Sequence, residues 1–332
     1  MKKFLAKKKK ESAVTIPPSL DSFPDFTKKE IFTQGQLIDD LLDRYIKADK
    51  ISFDYLKVKI DKIKRIYIIG AGTDYSCAVF GSYNFEVLLD IISVPLALGE
   101  FLYSNPILDK NTLVVLIGES SSVQKRIEGS GARLIRIMDF SDNKGDIVLN
   151  YKTLGRIPTA SYSLKLTALA MLALYFGEKN QVITPLYVKI ATQMLRGLKH
   201  KIKGILSQEY IINEAAGALD SDKLLFTGTN VDYAVAVYAG ELLHSKKCLS
   251  SSISLGQLNP EFKDNFSIIA LASNIDFYNL ISHIDDFKLK IVSSSVDADD
   301  DKILSYDESI PLLNPILSGV IIQMIAYVKR NG

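Results

Sequence analysis

The chain has 332 residues, 47% of them hydrophobic, and its 40 Lys and Arg against 38 Asp and Glu leave a net charge of +2. That length and apolar content imply about two domains with packed cores, and the near-neutral balance gives no global argument for a nucleic-acid partner. No apolar run reaches the roughly 18–20 uninterrupted residues of a membrane span, and the basic residues 1–10 are not followed by the apolar segment of a secretory signal. The lysine run at 7–10 reads as a solubilising end. Cys77 and Cys248 are too few for a disulfide framework, which points to the reducing cytoplasm.

Pro17, Pro18 and Pro24 make residues 11–26 irregular. Residues 26–46 then read as a helix, because Ile31, Ile38, Leu41, Leu42 and Tyr45 keep a three-to-four spacing. A second, short helix is expected over 53–63. Residues 66–69, Ile-Tyr-Ile-Ile, have the β-branched and aromatic composition of a strand buried on both faces. Gly70-Ala71-Gly72 allows a tight turn, after which Tyr75, Ala78, Val79 and Ser82 fall on one helix face. Further strands are expected near 94–96 and at 113–117, 134–138 and 146–149, with an apolar helix over 163–176. Residues 186–219 read as a helical connector, and a second sheet region runs from 223 to 330.

That second region repeats the first. Without a gap, Gly70 meets Gly228, Asp74 meets Asp232, Tyr75 meets Tyr233, Ala78 meets Ala236 and Val79 meets Val237. The apolar run 113–117 matches 268–271, residues 133–138 match 288–292, and the helix 157–177 matches 310–332. A period this long is a duplicated domain and not a solenoid. Strands alternating with helices predict an α/β fold of two five-stranded parallel sheets, each in a three-layer αβα sandwich. The expected organisation is a basic tail and lead-in helices over 1–64, a first domain over 65–180, a connector over 181–222 and a second domain over 223–332.

Two stretches carry chemistry. The loop Gly70 to Thr73 opens a helix, and such a turn aims unpaired N–H groups along the positive end of the helix dipole, an arrangement suited to phosphate. It is not a dinucleotide fingerprint, because the third glycine is missing. After the 113–117 strand comes Gly118-Glu119-Ser120-Ser121-Ser122. Its three hydroxyls can each donate to a phosphate oxygen, or one of them serves as a helix N-cap. Glu119 opposes an anion there, and Arg126, one turn on, can offset it.

These motifs carry a resemblance. Residues 26–34 (FTKKEIFTQ), Gly72-Thr73-Asp74-Tyr75, Leu98-Gly99-Glu100-Phe101 and Gly256-Gln257-Leu258 together resemble the double sugar-isomerase (SIS) domain family, in particular the isomerase half of glutamine–fructose-6-phosphate aminotransferase. The likeness covers roughly residues 24–330 and implies two tandem SIS domains in a homodimer. It also implies a sugar phosphate held at the first domain by Gly72, Thr73, Ser120, Ser121 and Ser122, with no cofactor. Asp74 stands where the family's "GTSY" loop has serine. No glutaminase domain precedes the match, so ammonia chemistry is expected to need another source.

The family's catalytic positions are altered. Its "KLKE" helix supplies a glutamate base, its "GELKHGP" segment a ring-opening histidine, and its C-terminal tail a Schiff-base lysine. Aligned on Gly240, the base position here is Lys246; residues 256–261 contain no histidine, and the sequence ends at Gly332 without the tail. Glu241 and His244, three apart on one helix, are the candidate acid–base pair, with Lys246 a candidate amine. Glu100, just after the second strand, reads as a carboxylate that either faces the site or is solvated in a loop, and Cys77 as core. The acidic residues Asp297, Asp299, Asp300 and Asp301 lack calcium-loop spacing, and His200 and His283 have no partners at metal-ligand spacing, so no metal is expected. Two functions follow. One is an isomerase, deaminase or aminotransferase-like enzyme acting on a hexose or hexosamine 6-phosphate. The other is a phosphosugar-binding or regulatory protein without chemistry.

Overall fold

The computed structural model describes residues 23–48, 50–143, 145–219, 223–245, 248–258, 262, 265–282, 289–294 and 302–331. The basic tail, Lys246, His283 and the acidic residues 297–301 lie outside them.

Helix α1 (Phe26–Tyr45) is capped by Asp25, whose side chain accepts from the Lys28 N–H. A two-residue antiparallel ribbon follows, β1 (Ile46–Lys47) with β2 (Lys50–Ile51). The helix expected over 53–63 is instead two single 3-10 turns, Asp54–Leu56 and Ile60–Lys62. Lys57 between them takes a left-handed φ of 51°, which a continuous helix does not permit.

The first sheet is formed by β3 (Arg65–Gly70), β4 (Ile92–Ala97), β5 (Thr112–Ile117), β6 (Arg133–Met138) and β7 (Asp146–Val148). They are parallel in the order β4-β3-β5-β6-β7. Helix α2 (Thr73–Leu89) follows β3, α3 (Leu98–Tyr103) follows β4, α4 (Ser121–Ile127) follows β5, and α5 (Ala160–Lys179) follows β7. After the connector helices α6 (Pro185–Ser207) and α7 (Glu209–Ala218), the pattern returns: β8 (Lys223–Gly228), α8 (Asn230–Leu243), β9 (Leu249–Ser254), β10 (Ser267–Leu271), α9 (Ile275–Ser282), β11 (Leu289–Ser293), β12 (Ile303–Ser305) and α10 (Asn314–Asn331). The second order, β9-β8-β10-β11-β12, copies the first strand for strand, again in parallel. The expected pair of five-stranded parallel sheets is therefore present.

The inner faces of both sheets share one core. It takes in Ile68, Phe80 and Leu169 from the first half and Phe226, Tyr238 and Val320 from the second. Helix α2 packs on α5 and α8, and α8 packs on α10. At this seam Tyr162 and Tyr238 stack with centroids 3.6 Å apart and planes 3° from parallel. Each outer face has its own smaller core, Ile69, Phe101 and Val114 in the first half and Leu225, Ile268 and Ile281 in the second. Helix α5 is long and apolar enough to cross a membrane by length and composition, but its whole apolar window is buried inside the fold.

The apolar face of α1 and the inner side of α6 are buried within the chain. Helix α1 packs on α5 and α6, and α6 packs on α10; Ile31, Ile38, Leu195, Leu198 and Ile202 are buried there. Polar locks secure α1. Glu30 accepts from the N–H groups of Leu154 and Gly155 at 2.5 and 2.9 Å and from the Thr159 hydroxyl at 3.0 Å. Gln34 donates to Gln323 of α10 at 2.9 Å and accepts from Ser163 of α5 at 2.6 Å. The lead-in motif thus binds backbone and side chains of both halves.

Candidate functional site

In the strand order 2-1-3-4-5, connections leave in opposite directions at the boundary between the first and third strands, and the crevice at their carboxyl ends is where such sheets bind ligands. In the first half that boundary lies between β3 and β5, whose register pairs Ile69 with Leu116. The loops carrying Gly72 and Thr73, and Gly118 to Ser122, therefore leave the sheet side by side.

Helix α2 begins at this crevice. Its N-cap, Gly72, has φ 54° and ψ −130°, and no side chain caps the helix there. A Cβ on Gly72 would meet nothing within 4 Å, so steric room does not require the glycine. The backbone angle does, since it is the mirror image of an extended conformation. Gly70 is fixed by crowding instead: a Cβ would lie 2.2 Å from the Asp74 carbonyl oxygen. Gly228 repeats this, with a Cβ 2.8 Å from the Asp232 carbonyl carbon. The close approach of strand end to helix start explains why both glycines and both acids recur.

Across the crevice, Ser120 caps α4, its hydroxyl accepting from the Val123 N–H at 3.3 Å, so the N-cap alternative holds for this serine. Ser121 and Ser122 are exposed on the first turn, and Glu119 is exposed beside them. Arg126 does not offset that carboxylate. Its guanidinium donates to the carbonyls of Leu102 and Ser104 and lies over the Phe101 ring, committed to the end of α3.

An ion pair unforeseen in the sequence lies at this edge. Lys165 of α5 donates to Asp74 Oδ1 at 2.6 Å, with side-chain exposures of 10% and 23%. Burial, the largest single influence, disfavours the lysine's charge, but Asp74, Cys77 and Asp139 together outweigh it and the pKa of Lys165 is raised. Asp139, directly after β6, has its pKa raised by burial and by Asp74, against the opposing pull of Lys165. Cys77 is fully buried, and its thiol pKa is pushed well above the ordinary value by that burial; it is inert core, as expected. The one signal for Lys165 was its position: a single lysine inside the apolar run 157–177.

The second crevice is built differently. Asp232 Oδ2 accepts from Ser273 N and Oγ at 2.9 and 2.8 Å. Burial nevertheless raises its pKa to about 6, against those two hydrogen bonds.

Glu241 and His244 sit elsewhere on α8. That helix starts at the carboxyl edge of its sheet and runs back, placing them roughly 20 Å along its axis from Thr229. Both are exposed. His244 Nδ1 lies 3.3 Å from the Ser250 carbonyl. Among the described residues, no three His, Cys, Asp or Glu side chains gather as a metal site.

Residues 59–175 match the SIS domain family. The matched residues contain the whole first sheet, and the second sheet repeats its strand order. Over 236 residues the chain is 29% identical to glutamine–fructose-6-phosphate aminotransferase (isomerizing) of Clostridium tetani, covering 65% of this chain and 38% of that protein. It is 25% identical to the Clostridium acetobutylicum enzyme of the same name, over 92% of this chain and 56% of that one. The chain thus spans about half the length of the curated relatives it matches, or less. Its fold is shared with the C-terminal domain of glucosamine-fructose-6-phosphate aminotransferase from Francisella tularensis, at TM-score 0.83 and 17% identity over 93% of this chain and 96% of that one. Tagatose-6-phosphate ketose/aldose isomerase from Escherichia coli shares it at TM-score 0.66 and 11% identity, over 94% and 95%.

Proposed function

We propose that the chain binds a hexose or hexosamine 6-phosphate in the crevice between β3 and β5 and acts on it as an isomerase-, deaminase- or aminotransferase-like protein. The observation that carries this reading is the side-by-side pair of loops at the switch point, with α2 starting there free of any side-chain cap. The Asp74 and Tyr75 N–H groups already donate to the Ala71 and Gly72 carbonyls; the N–H groups of Gly72 and Thr73, with the hydroxyls of Thr73, Ser121 and Ser122, have the chemistry that holds a phosphate. Ser120 can still donate its proton while its oxygen caps α4. Relatives and fold neighbours named for fructose 6-phosphate and tagatose 6-phosphate support the substrate class.

Glu241 and His244 are the proposed acid–base pair, with Lys246 as an amine; proton transfer of this kind needs no cofactor. The carboxylates of Glu119 and Asp74 at the crevice favour a second reading, a phosphosugar-binding or regulatory protein without turnover. A homodimer is proposed through Leu186, Ile190 and Met194, exposed one turn apart along α6. Cys77 and Cys248, which form no disulfide among the described residues, support a reducing cytoplasm.

The test is incubation with fructose 6-phosphate and ammonium, followed by detection of glucosamine 6-phosphate and glucose 6-phosphate. Turnover that falls by about 10²–10⁴-fold in Glu241→Gln or His244→Asn supports the enzyme reading with these roles. Undiminished turnover in both variants contradicts the assignment, and ligand binding without turnover supports the second reading.

A further inference from the structure

Asp139 leaves β6 at the same edge as the loops after β3 and β5. Its backbone is tied down, the carbonyl accepting from the Tyr151 N–H at 3.3 Å. Its side chain is not: Oδ1 is buried without a hydrogen-bond partner. Leaving a carboxylate oxygen in that state is costly, and such an orphan calls for an explanation in function or in a missing partner. The charged and titratable groups facing it are Asp74 from α2, Lys165 from α5 and Tyr151 from the segment after β7. Lys165 is already engaged by Asp74 at 2.6 Å. Asp139 therefore stands beside a nearly neutral pair, with no cation of its own.

Resting on the reading of this crevice as a sugar-phosphate site, we infer that Asp139 is a ligand-contacting carboxylate of that site, which accepts a hydrogen bond from a hydroxyl or ammonium group of the bound sugar and, near its own midpoint, gives up a proton as that ligand binds. An ionised carboxylate only accepts, so the group that satisfies Oδ1 must be a donor. A donor from the ligand favours the charged form, and the proton leaves for solvent. At the matching position the second half has no carboxylate, although Asp232 Oδ1 on α8 is likewise buried without a hydrogen-bond partner. The residue directly after β11 is Ser294, whose hydroxyl donates to the Ser273 carbonyl at 3.2 Å.

The experiment follows aspartate carboxyl ¹³C signals of the full chain against pH. Calorimetry with glucose 6-phosphate and glucosamine 6-phosphate is then run at the midpoint found, in two buffers of different ionisation enthalpy. A signal titrating above the ordinary range should vanish in Asp139→Asn, move higher in Lys165→Met and move lower in Asp74→Asn. Ligand should release protons from the wild type and not from Asp139→Asn, which should bind about tenfold more weakly. An ordinary midpoint for Asp139, or one indifferent to Lys165→Met, overturns the charge coupling. Binding with unchanged affinity and proton release in Asp139→Asn overturns the ligand role. If neither sugar phosphate binds, the sugar-phosphate reading and the ligand role fall together, while the ligand-free titration still decides the coupling.

Discussion

Asp74 and Asp232 occupy the same place in the two halves, in the first turn of the helix after the first strand, with a glycine pressed against each backbone. Their environments differ. Asp74 has a lysine at 2.6 Å. Asp232 is more deeply buried and has only the N–H and hydroxyl of Ser273. Two hydrogen bonds from neutral groups do not offset burial, and the carboxyl pKa rises to about 6. A duplicated backbone thus preserves the position of an acid while the opposite face of the core decides its charge. The first half keeps an ion pair at its crevice edge, and the second holds a buried carboxyl met by the N–H and hydroxyl of Ser273.

The largest expected effect tests the shared backbone. Gly70→Ala places a methyl 2.2 Å from a backbone oxygen, against 2.8 Å from a backbone carbon for Gly228→Ala. Neither obstacle is the end of a flexible side chain. Gly70→Ala should cost about 3 kcal/mol or more and Gly228→Ala less, as read by chemical denaturation. Equal stability of either variant with the parent would show that the strand end and helix start are less closely apposed.

Next comes the charge difference. Lys165→Met strips a partly buried carboxylate of its cation and should destabilise by about 2–3 kcal/mol, below the full cost at a buried site because Asp74 retains some exposure. Asp74→Asn in that background should recover most of the loss, a coupling that a double-mutant cycle reads directly. Additive losses would mean that the pair contributes nothing as a pair. The folded-state pKa of Lys165 is raised, so the stability from the pair is present below the lysine's ordinary value and is lost as pH rises through the raised one.

Asp232 has the opposite sign in its effect. Its folded value of about 6 exceeds the ordinary 3.8, so the folded state holds more protons between those values and stability rises as pH falls through that window. Asp232→Asn should remove this dependence and add about 1–3 kcal/mol at pH 7, while leaving Ser273 an acceptor. A parent protein whose stability is flat between pH 4 and 6 would contradict the assignment.

The parts readable in the sequence are those held by local geometry. The Gly–Asp repeat was visible because the strand–turn–helix unit needs a glycine within four residues of the acid. The central strands were visible because both faces are covered: β5 is buried at all six positions and β10 at all five. Lys165 was not, because its role depends on α5 reaching the end of β3, and within an apolar helix a lysine reads only as an interruption. Asp139 gave no signal for the same reason. The apolar face of α1 was visible in the spacing from Ile31 to Tyr45, but periodicity cannot say whether a helix covers its own chain or another. The short helix expected over 53–63 failed at one left-handed residue, Lys57.

The proposal that the first crevice, and not the second, holds a sugar phosphate is tested most directly by calorimetry with glucose 6-phosphate and glucose. The parent should bind the phosphate ester and not the free sugar. Ser122→Ala should weaken binding about tenfold through loss of a hydrogen bond to a charged acceptor, while Ser273→Ala leaves it unchanged. Equal binding of glucose and glucose 6-phosphate, or loss of binding in Ser273→Ala with none in Ser122→Ala, would contradict this assignment.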